Sequence, residues 1–266
     1  MSHFRRNVAR AERGWNRANS DVRRFIIPFL LLSGSVFAEK EETATHEFRI
    51  FPVGDPPPFR QEVRNGIRYE VEPPDGSVPP DTIILPENDG AGAGVRVRLG
   101  TLSEAFALPV NESGMAGFIT SEGDTWLRVA ARPGGSSILL AWRKGARWKE
   151  VGSLSIPLND SRPDRVTVHV ANVSDSSAGI VIGEDKIRLD HGMRISRSFD
   201  VNSPAVPFQV LVANHQGVLV PILSSRVETG TPVLRVVAIH RADGENPRFP
   251  VKVTEAEEIY VNHPKE

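Results

Sequence analysis

Cysteine is absent from this 266-residue chain. That excludes disulfide frameworks, thiolate metal sites and cysteine nucleophiles. Small exported domains with weak cores usually lean on disulfides, so a thiol-free chain of this length must bury one large or two moderate cores instead. Long apolar runs are also missing. The run Phe25–Leu32 falls far short of the ~20 residues a spanning helix needs, and Pro28 interrupts it. No window beyond about ten residues after the start of the chain carries clean helical periodicity.

Basic excess is confined to the beginning. Residues 1–38 hold seven arginines against two acids, a net of +5, so with the whole chain at −1 the remainder stands at −6. Nucleic-acid binding needs clustered Lys and Arg to displace counterions, and the remainder has no such stripe. Arg23-Arg24, the apolar run and then Val36 and Ala38 have the order of a secretory signal cleaved after Ala38. The stretch before Val22 is long for such a leader, which leaves a later start at Val22 open. Arg23-Arg24 also permits twin-arginine export, although Asp21 and Ile26-Ile27 fit that pattern poorly. No cysteine follows the run, so bacterial lipid anchoring is excluded. The expected location is periplasmic or extracellular, with no membrane span in the mature form.

From Glu47 onward, short apolar runs alternate with Gly, Pro, Asn and Asp. Val95–Leu99 and Arg165–Val170 alternate strictly, which places one face in a core and one in water. Ile138–Trp142, Val218–Leu223 and Val233–Ile239 are more continuously apolar and predict strands buried on both faces or inside a sandwich. Hairpins are expected around residues 132–136, 183–185, 214–217 and 243–247, where Gly and Asn supply positive φ. Pro221 lacks an amide donor, so its strand should be an edge or bulged there. His46 to Gly94 is proline-dense, with Pro56-Pro57-Pro58, Pro73-Pro74 and Pro79-Pro80. It reads as a separate extended piece whose runs Phe48–Pro52, Ile67–Val71 and Thr82–Leu85 add edge strands to a first module.

The predicted fold is all-β: two small antiparallel β-sandwiches of immunoglobulin-like type. The expected divisions are 1–38 leader, 39–160 Pro-rich segment with the first sandwich, 161–254 second sandwich and 255–266 C-terminal tail. Val95–Glu104 and Val166–Asp175 match in character and each precedes a long hairpin, which suggests an internal duplication.

Few residues suggest chemistry. Trp148 sits in the polar turn Arg143–Glu150 with Arg143 and Arg147. An exposed indole there would stack on a sugar ring or hold a cation, whereas Trp126 and Trp142 are expected to pack across one hairpin. The histidines after the leader, His46, His169, His191, His215, His240 and His263, show no zinc spacing and read as surface groups. No Gly-x-Ser-x-Gly elbow occurs. Glu104, Asp124, Asp175 and Glu184 offer carboxylates, but nothing selects a pair. Asn111-Glu-Ser113 and Asn172-Val-Ser174 fit the N-glycan acceptor pattern.

The leader through Ala38, the Asp55–Phe59 segment, the strand Val166–Asp175 and the closing Arg241–Val253 together resemble uncharacterised exported bacterial proteins built from small immunoglobulin-like β modules. The resemblance implies the fold and no activity. Three functions stay open: a non-enzymatic binding or scaffolding module of the cell envelope, partnered by a protein or polysaccharide; a carbohydrate-binding module using Trp148 with Arg143 and Arg147; and a hydrolase with a dispersed site. No catalytic, cofactor or metal residue is assigned.

Overall fold

The alternating runs become strands throughout; the computed structural model contains no helix among the residues it describes, which are 44–85, 92–158, 164–214, 216–244 and 246–259. The first ten strands are β1 (Thr45–Pro52), β2 (Gln61–Arg64), β3 (Ile67–Glu70), β4 (Thr82–Ile84), β5 (Gly94–Arg96), β6 (Phe106–Pro109), β7 (Met115–Thr120), β8 (Thr125–Ala130), β9 (Ser136–Arg143) and β10 (Val151–Pro157). The remaining eight are β11 (Arg165–Asn172), β12 (Ala178–Ile182), β13 (Asp185–Leu189), β14 (Arg194–Asp200), β15 (Val206–Ala213), β16 (Leu219–Val227), β17 (Val233–Arg241) and β18 (Val251–Ile259).

Four sheets of four strands stack as two sandwiches, in the orders β10-β9-β1-β6, β5-β4-β7-β8, β14-β11-β17-β18 and β13-β12-β15-β16. The first two sheets enclose a core of Phe48, Ile50, Leu108, Phe118, Leu139 and Trp148 with their neighbours. The last two enclose Val168, Val170, Ile180, Phe208, Val210 and Val237. A third core joins the sandwiches: Phe51, Val53, Ile138, Leu140 and Ile156 meet Ala171, Val173, Leu234, Val236 and Ala238. Successive residues of a strand point to opposite faces. Leu139 and Ala141 therefore enter the first core while Ile138 and Leu140 enter the third. The central strands β9, β11 and β17 are thus buried on both faces, and the described residues belong to a single compact unit.

Two-sided burial accounts for the continuous runs in β9 and β17, as expected. It also reverses one reading of alternation. Thr167 and His169 alternate with Val166, Val168 and Val170, yet all five are buried, because the first sandwich covers the polar face. The expectation of water on that side fails for a tertiary reason.

Other expectations need correction. All of Val218–Leu223 but its first residue lies in β16, an edge strand with four of nine residues exposed. Pro221 does sit at a register shift, opposite Leu211 where Val210 faces Leu223. Phe48–Pro52 belongs to β1, a central strand paired with β6 and β9, and Thr82–Ile84 is interior to its sheet. The proline-dense region is therefore woven into the first sandwich. Its Ile67–Val71 run pairs only with β2. No hairpin forms around 132–136, since β8 pairs with β7 while β9 crosses to the other sheet. The other three expected hairpins are present. Residues 255–259 continue β18 as strand, so no tail begins at 255. The leader through Ala38 and the proposed boundary at 159–163 lie outside the described residues.

The two sandwiches repeat one path. Leaving out β2 and β3, the strands β1, β4, β5, β6, β7, β8, β9 and β10 occupy, in chain order, the same sheet places as β11 to β18. In each sandwich one pair is parallel, β1 with β9 and β11 with β17. Each also has a register shift in its outer hairpin, after Phe118 and after Val210. Position 120 residues on from β1 reproduces the core assignment: Phe48 and Val168 face the sandwich cores, while Phe51 and Val53, Ala171 and Val173 face the seam. Val95–Glu104 and Val166–Asp175 do not correspond in this path, because β5 takes the place of β13 and β11 that of β1.

Three of the four tryptophans, Trp126, Trp142 and Trp148, belong to the first sandwich; with the fourth, Trp15, replaced by Phe, indole fluorescence follows that half while far-ultraviolet dichroism follows both. The shared seam should make the two denaturation curves coincide in urea. Leu140→Ala, at a fully buried seam position, should cost about 2–5 kcal/mol. Separated curves with Leu140 in place would show that the seam couples the halves weakly.

Candidate functional site

Strands β1, β9, β11 and β17 run toward one end of the molecule, and there a cleft of about 370 Å³ opens between the sandwiches. Trp142, Arg143 and Lys144 line it from the end of β9, and His240, Arg241 and Asp243 from the end of β17, with Val53 and Gly54 between. Trp142 and His240 hold matching places in the repeated path, as do Arg143 and Arg241, since Arg143 faces Val151 and Arg241 faces Val251 in their hairpins.

Much of the charge near this cleft is used to fasten the sandwiches. Arg143 pairs with Asp243 there, and toward the other end of the strands Arg49 of β1 pairs with Glu258 of β18. Asp55, nearly buried, accepts the Asp243 amide at 2.8 Å and the Lys252 ammonium at 2.8 Å. The acid that opens the Asp-Pro-Pro-Pro segment is therefore a clasp between sandwiches. A buried carboxylate is tolerable only with such partners. Pro56–Pro58 then carry the chain away as a stiff connection without strand pairing. Arg241 and Lys144 leave the cleft with cationic donors beside the flat edge of Trp142. That combination suits a small anionic or hydroxylated ligand.

His240 lies beneath the cleft, 3 % exposed, with Nδ1 3.0 Å from the Arg241 carbonyl and Nε2 2.9 Å from the Thr254 hydroxyl. A carbonyl only accepts, so Nδ1 carries the proton and Nε2 accepts from Thr254. Burial lowers the pKa of His240 below its ordinary value; the Arg241 carbonyl, Asp55 and Asp243 oppose that shift and Lys252 adds to it.

Trp148 is not the exposed ring that the turn composition suggests. It is 3 % exposed and folds back into the first core. Its amide donates to Gly76 O at 2.7 Å, its carbonyl accepts from Trp126 Nε1 at 3.2 Å, and the two indoles lie 6.3 Å apart. Trp126 therefore partners Trp148 rather than Trp142. Arg147 stays exposed and lies against Gly76. Of the proposed trio Trp148, Arg143 and Arg147, Arg143 alone lines the cleft. Trp142 was the ring to choose, and the sequence signal was weak: its strand continues the apolar run, and only its place at the strand end marks it.

Among the described residues, two serine–histidine pairs occur. His46 Nε2 is 2.9 Å from Ser137 Oγ, with Nδ1 2.7 Å from the Arg132 carbonyl, and His169 Nδ1 is 2.6 Å from Ser196 Oγ. The first has the hydrogen-bond logic of an activated serine. However, Ser137 is 2 % exposed beneath the first sandwich, so no acyl substrate reaches it. His46, His169 and His240 are buried rather than superficial; His191 is exposed, and His215 and His263 lie outside the described residues. No group of three or more metal-ligating side chains occurs among the described residues.

Asn172 is fully buried, with Oδ1 accepting from the Ser174 amide and hydroxyl and Nδ2 donating to Ser176 and Leu189 carbonyls. Its Asn-Val-Ser sequence is thus a turn device, not a glycan acceptor. Asn111 likewise caps its turn by accepting the Met115 amide.

The most exposed feature is β2–β3, a two-stranded ribbon inserted where the second sandwich has no counterpart. Every residue from 58 to 76 is exposed. Phe59, Val63, Ile67, Tyr69 and Val71 present 39–67 % of their surface to solvent. The run Ile67–Val71 is an expected strand, but its hairpin with β2 is not among the expected turns, although Asn65-Gly66 between short strands is a strong hairpin signal. No protein-family model matches the chain, and no curated protein matches it.

Replacing Trp148 with Ala should lower stability by about 3–5 kcal/mol in urea titration, as for a core ring. Separately, an unfolded chain takes up a proton at an ordinary histidine near pH 6.5 before folded His240 does. Stability at this group is therefore present above that pH and falls as pH drops through it toward the depressed folded value. The stability advantage of the parent over His240→Gln should shrink as pH falls from neutral to about 5; a pH-independent difference would place the neutral imidazole elsewhere.

Proposed function

We propose that this chain is an exported, non-enzymatic module of the cell envelope that binds or scaffolds another macromolecule, made of two immunoglobulin-like sandwiches descended from one duplicated unit. The ribbon β2–β3 carries the binding reading. Five apolar side chains stand exposed on an insertion that neither sandwich core requires. Ile67, Tyr69 and Val71 follow one another on one face of the ribbon, with Val63 on the other, and exposed apolar surface of this kind marks interaction sites. Its strands have free edges, which accept a further extended strand by main-chain hydrogen bonding. Export rests on the leader pattern through Ala38, and duplication on the repeated strand path with its shared parallel pair and register shift. Carbohydrate recognition through Trp148 loses its anchor, because a ring 3 % exposed cannot stack on a sugar.

Cell fractionation followed by N-terminal sequencing should recover an envelope product beginning at Glu39; an uncleaved cytoplasmic product would overturn the export reading. In the same cells, a photoreactive residue at Tyr69 should yield a discrete crosslinked adduct, and the same probe at exposed Glu184 should not. Identical patterns from the two positions would remove the ribbon as the binding element.

A further inference from the structure

The ribbon's backbone shows which of its edges is prepared for a partner. Asn65 and Gly66 both have positive φ, 52° and 78°, as a two-residue type I′ turn requires. Such a turn makes Arg64 and Ile67 a hydrogen-bonded pair, and alternation then makes Glu62–Tyr69 bonded and Val63–Arg68 unbonded across the ladder. The parity is confirmed beyond the strands, where the Val71 amide donates to Arg60 O at 3.0 Å. Ile67, Tyr69 and Val71 therefore spend their backbone groups on β2. Those of Arg68 and Glu70 point outward along an edge with no neighbouring strand in its sheet.

Side chains on that edge form a charge palindrome, Ile67-Arg68-Tyr69-Glu70-Val71. Reading it backwards exchanges acid for base and apolar for apolar. Within the ribbon this pattern goes unused, since Arg68 faces Val63 and Glu70 faces Gln61. An antiparallel copy aligned on Tyr69 would use all of it.

We propose that β3 pairs antiparallel with β3 of a second copy of this chain, about a two-fold axis through Tyr69. Arg68 and Glu70 of each copy then exchange both main-chain hydrogen bonds with Glu70 and Arg68 of the other. Their side chains lie directly opposite as two ion pairs on one face. On the other face Tyr69 meets its own equivalent and Ile67 meets Val71, covering three of the five exposed apolar groups. The parity matters: an axis through Arg68 or Glu70 would place like charges on themselves. The contact is self-complementary and closes as a dimer rather than growing into a fibre. This inference rests on the binding role of the ribbon and names its partner.

Sedimentation equilibrium of the purified protein over a wide concentration range tests it. The parent should show a concentration-dependent monomer–dimer equilibrium. Arg68→Glu and Glu70→Arg each set like charges opposite one another twice per dimer, and should weaken self-association by about tenfold or more. Mixing the two variants restores both opposite-charge pairs and should restore dimers, as should the double exchange within one chain. Arg68→Pro removes an outward amide that the ribbon does not use, and should abolish the dimer while leaving thermal unfolding nearly unchanged. A parent protein that is monomeric throughout, or charge variants that associate alike and gain nothing on mixing, would overturn the pairing. If the parent is monomeric while the Tyr69 probe captures a different envelope protein, self-pairing falls and the binding reading survives; if the probe captures nothing, both fall.

Discussion

Everything in this molecule hangs on a sheet face that would ordinarily meet water and here meets another sheet. The inner sheets of the two sandwiches press Phe51, Ile138, Leu140 and Ile156 against Ala171, Val173, Val236 and Ala238. This seam joins two moderate cores into one body, and burial of apolar area is the stabilising force available to a chain without disulfides. Large Phe51 and Leu140 on one side share the seam with small Ala171 and Ala238 on the other.

A seam between sheets must satisfy whatever polar groups the strands place there. Thr167 and His169 bond to Ser198 and Ser196 on the neighbouring strand, and His240 bonds to Thr254. These three hydrogen bonds lie within the second sandwich. Fastening across it is left to the rim, where Arg49–Glu258, Asp55–Lys252 and Arg143–Asp243 span the sandwiches. Solvent reaches these pairs unequally, and exposed pairs contribute little; their value here is register rather than strength. The cleft lined by Trp142 and Arg143 lies at the ends of β9 and β17, beside the Arg143–Asp243 pair.

The repeated path gives the molecule an internal comparison. Both halves use the same eight places, and the same strands face the seam. The ribbon β2–β3 breaks the equivalence: it occurs once, contributes to neither core and carries exposed apolar groups. An insertion that stability does not require is where binding is most naturally found. The Trp148 turn shows the opposite case. It looks like a surface device by composition, yet its ring plugs the end of the first core.

Much of the architecture could be read from the chain itself. Strand content, turn positions at 183–185, 214–217 and 243–247, and the irregularity at Pro221 follow from local rules: side-chain alternation, positive φ at Gly and Asn, and the missing amide of proline. Asn65-Gly66 was equally legible. Pairing partners were not, because alternation has a period of two in every strand and carries no label for its neighbour. That is why β8 and β9 looked like a hairpin and why Val95–Glu104 looked like a copy of Val166–Asp175. Nor could local pattern tell whether the Thr167–His169 face met water or protein, or whether Trp148 rather than Trp142 entered the core. Composition and periodicity determined that sheets would form and where the chain would turn. Tertiary packing decided which faces were covered, since burial belongs to pairs of surfaces that only meet once both are folded.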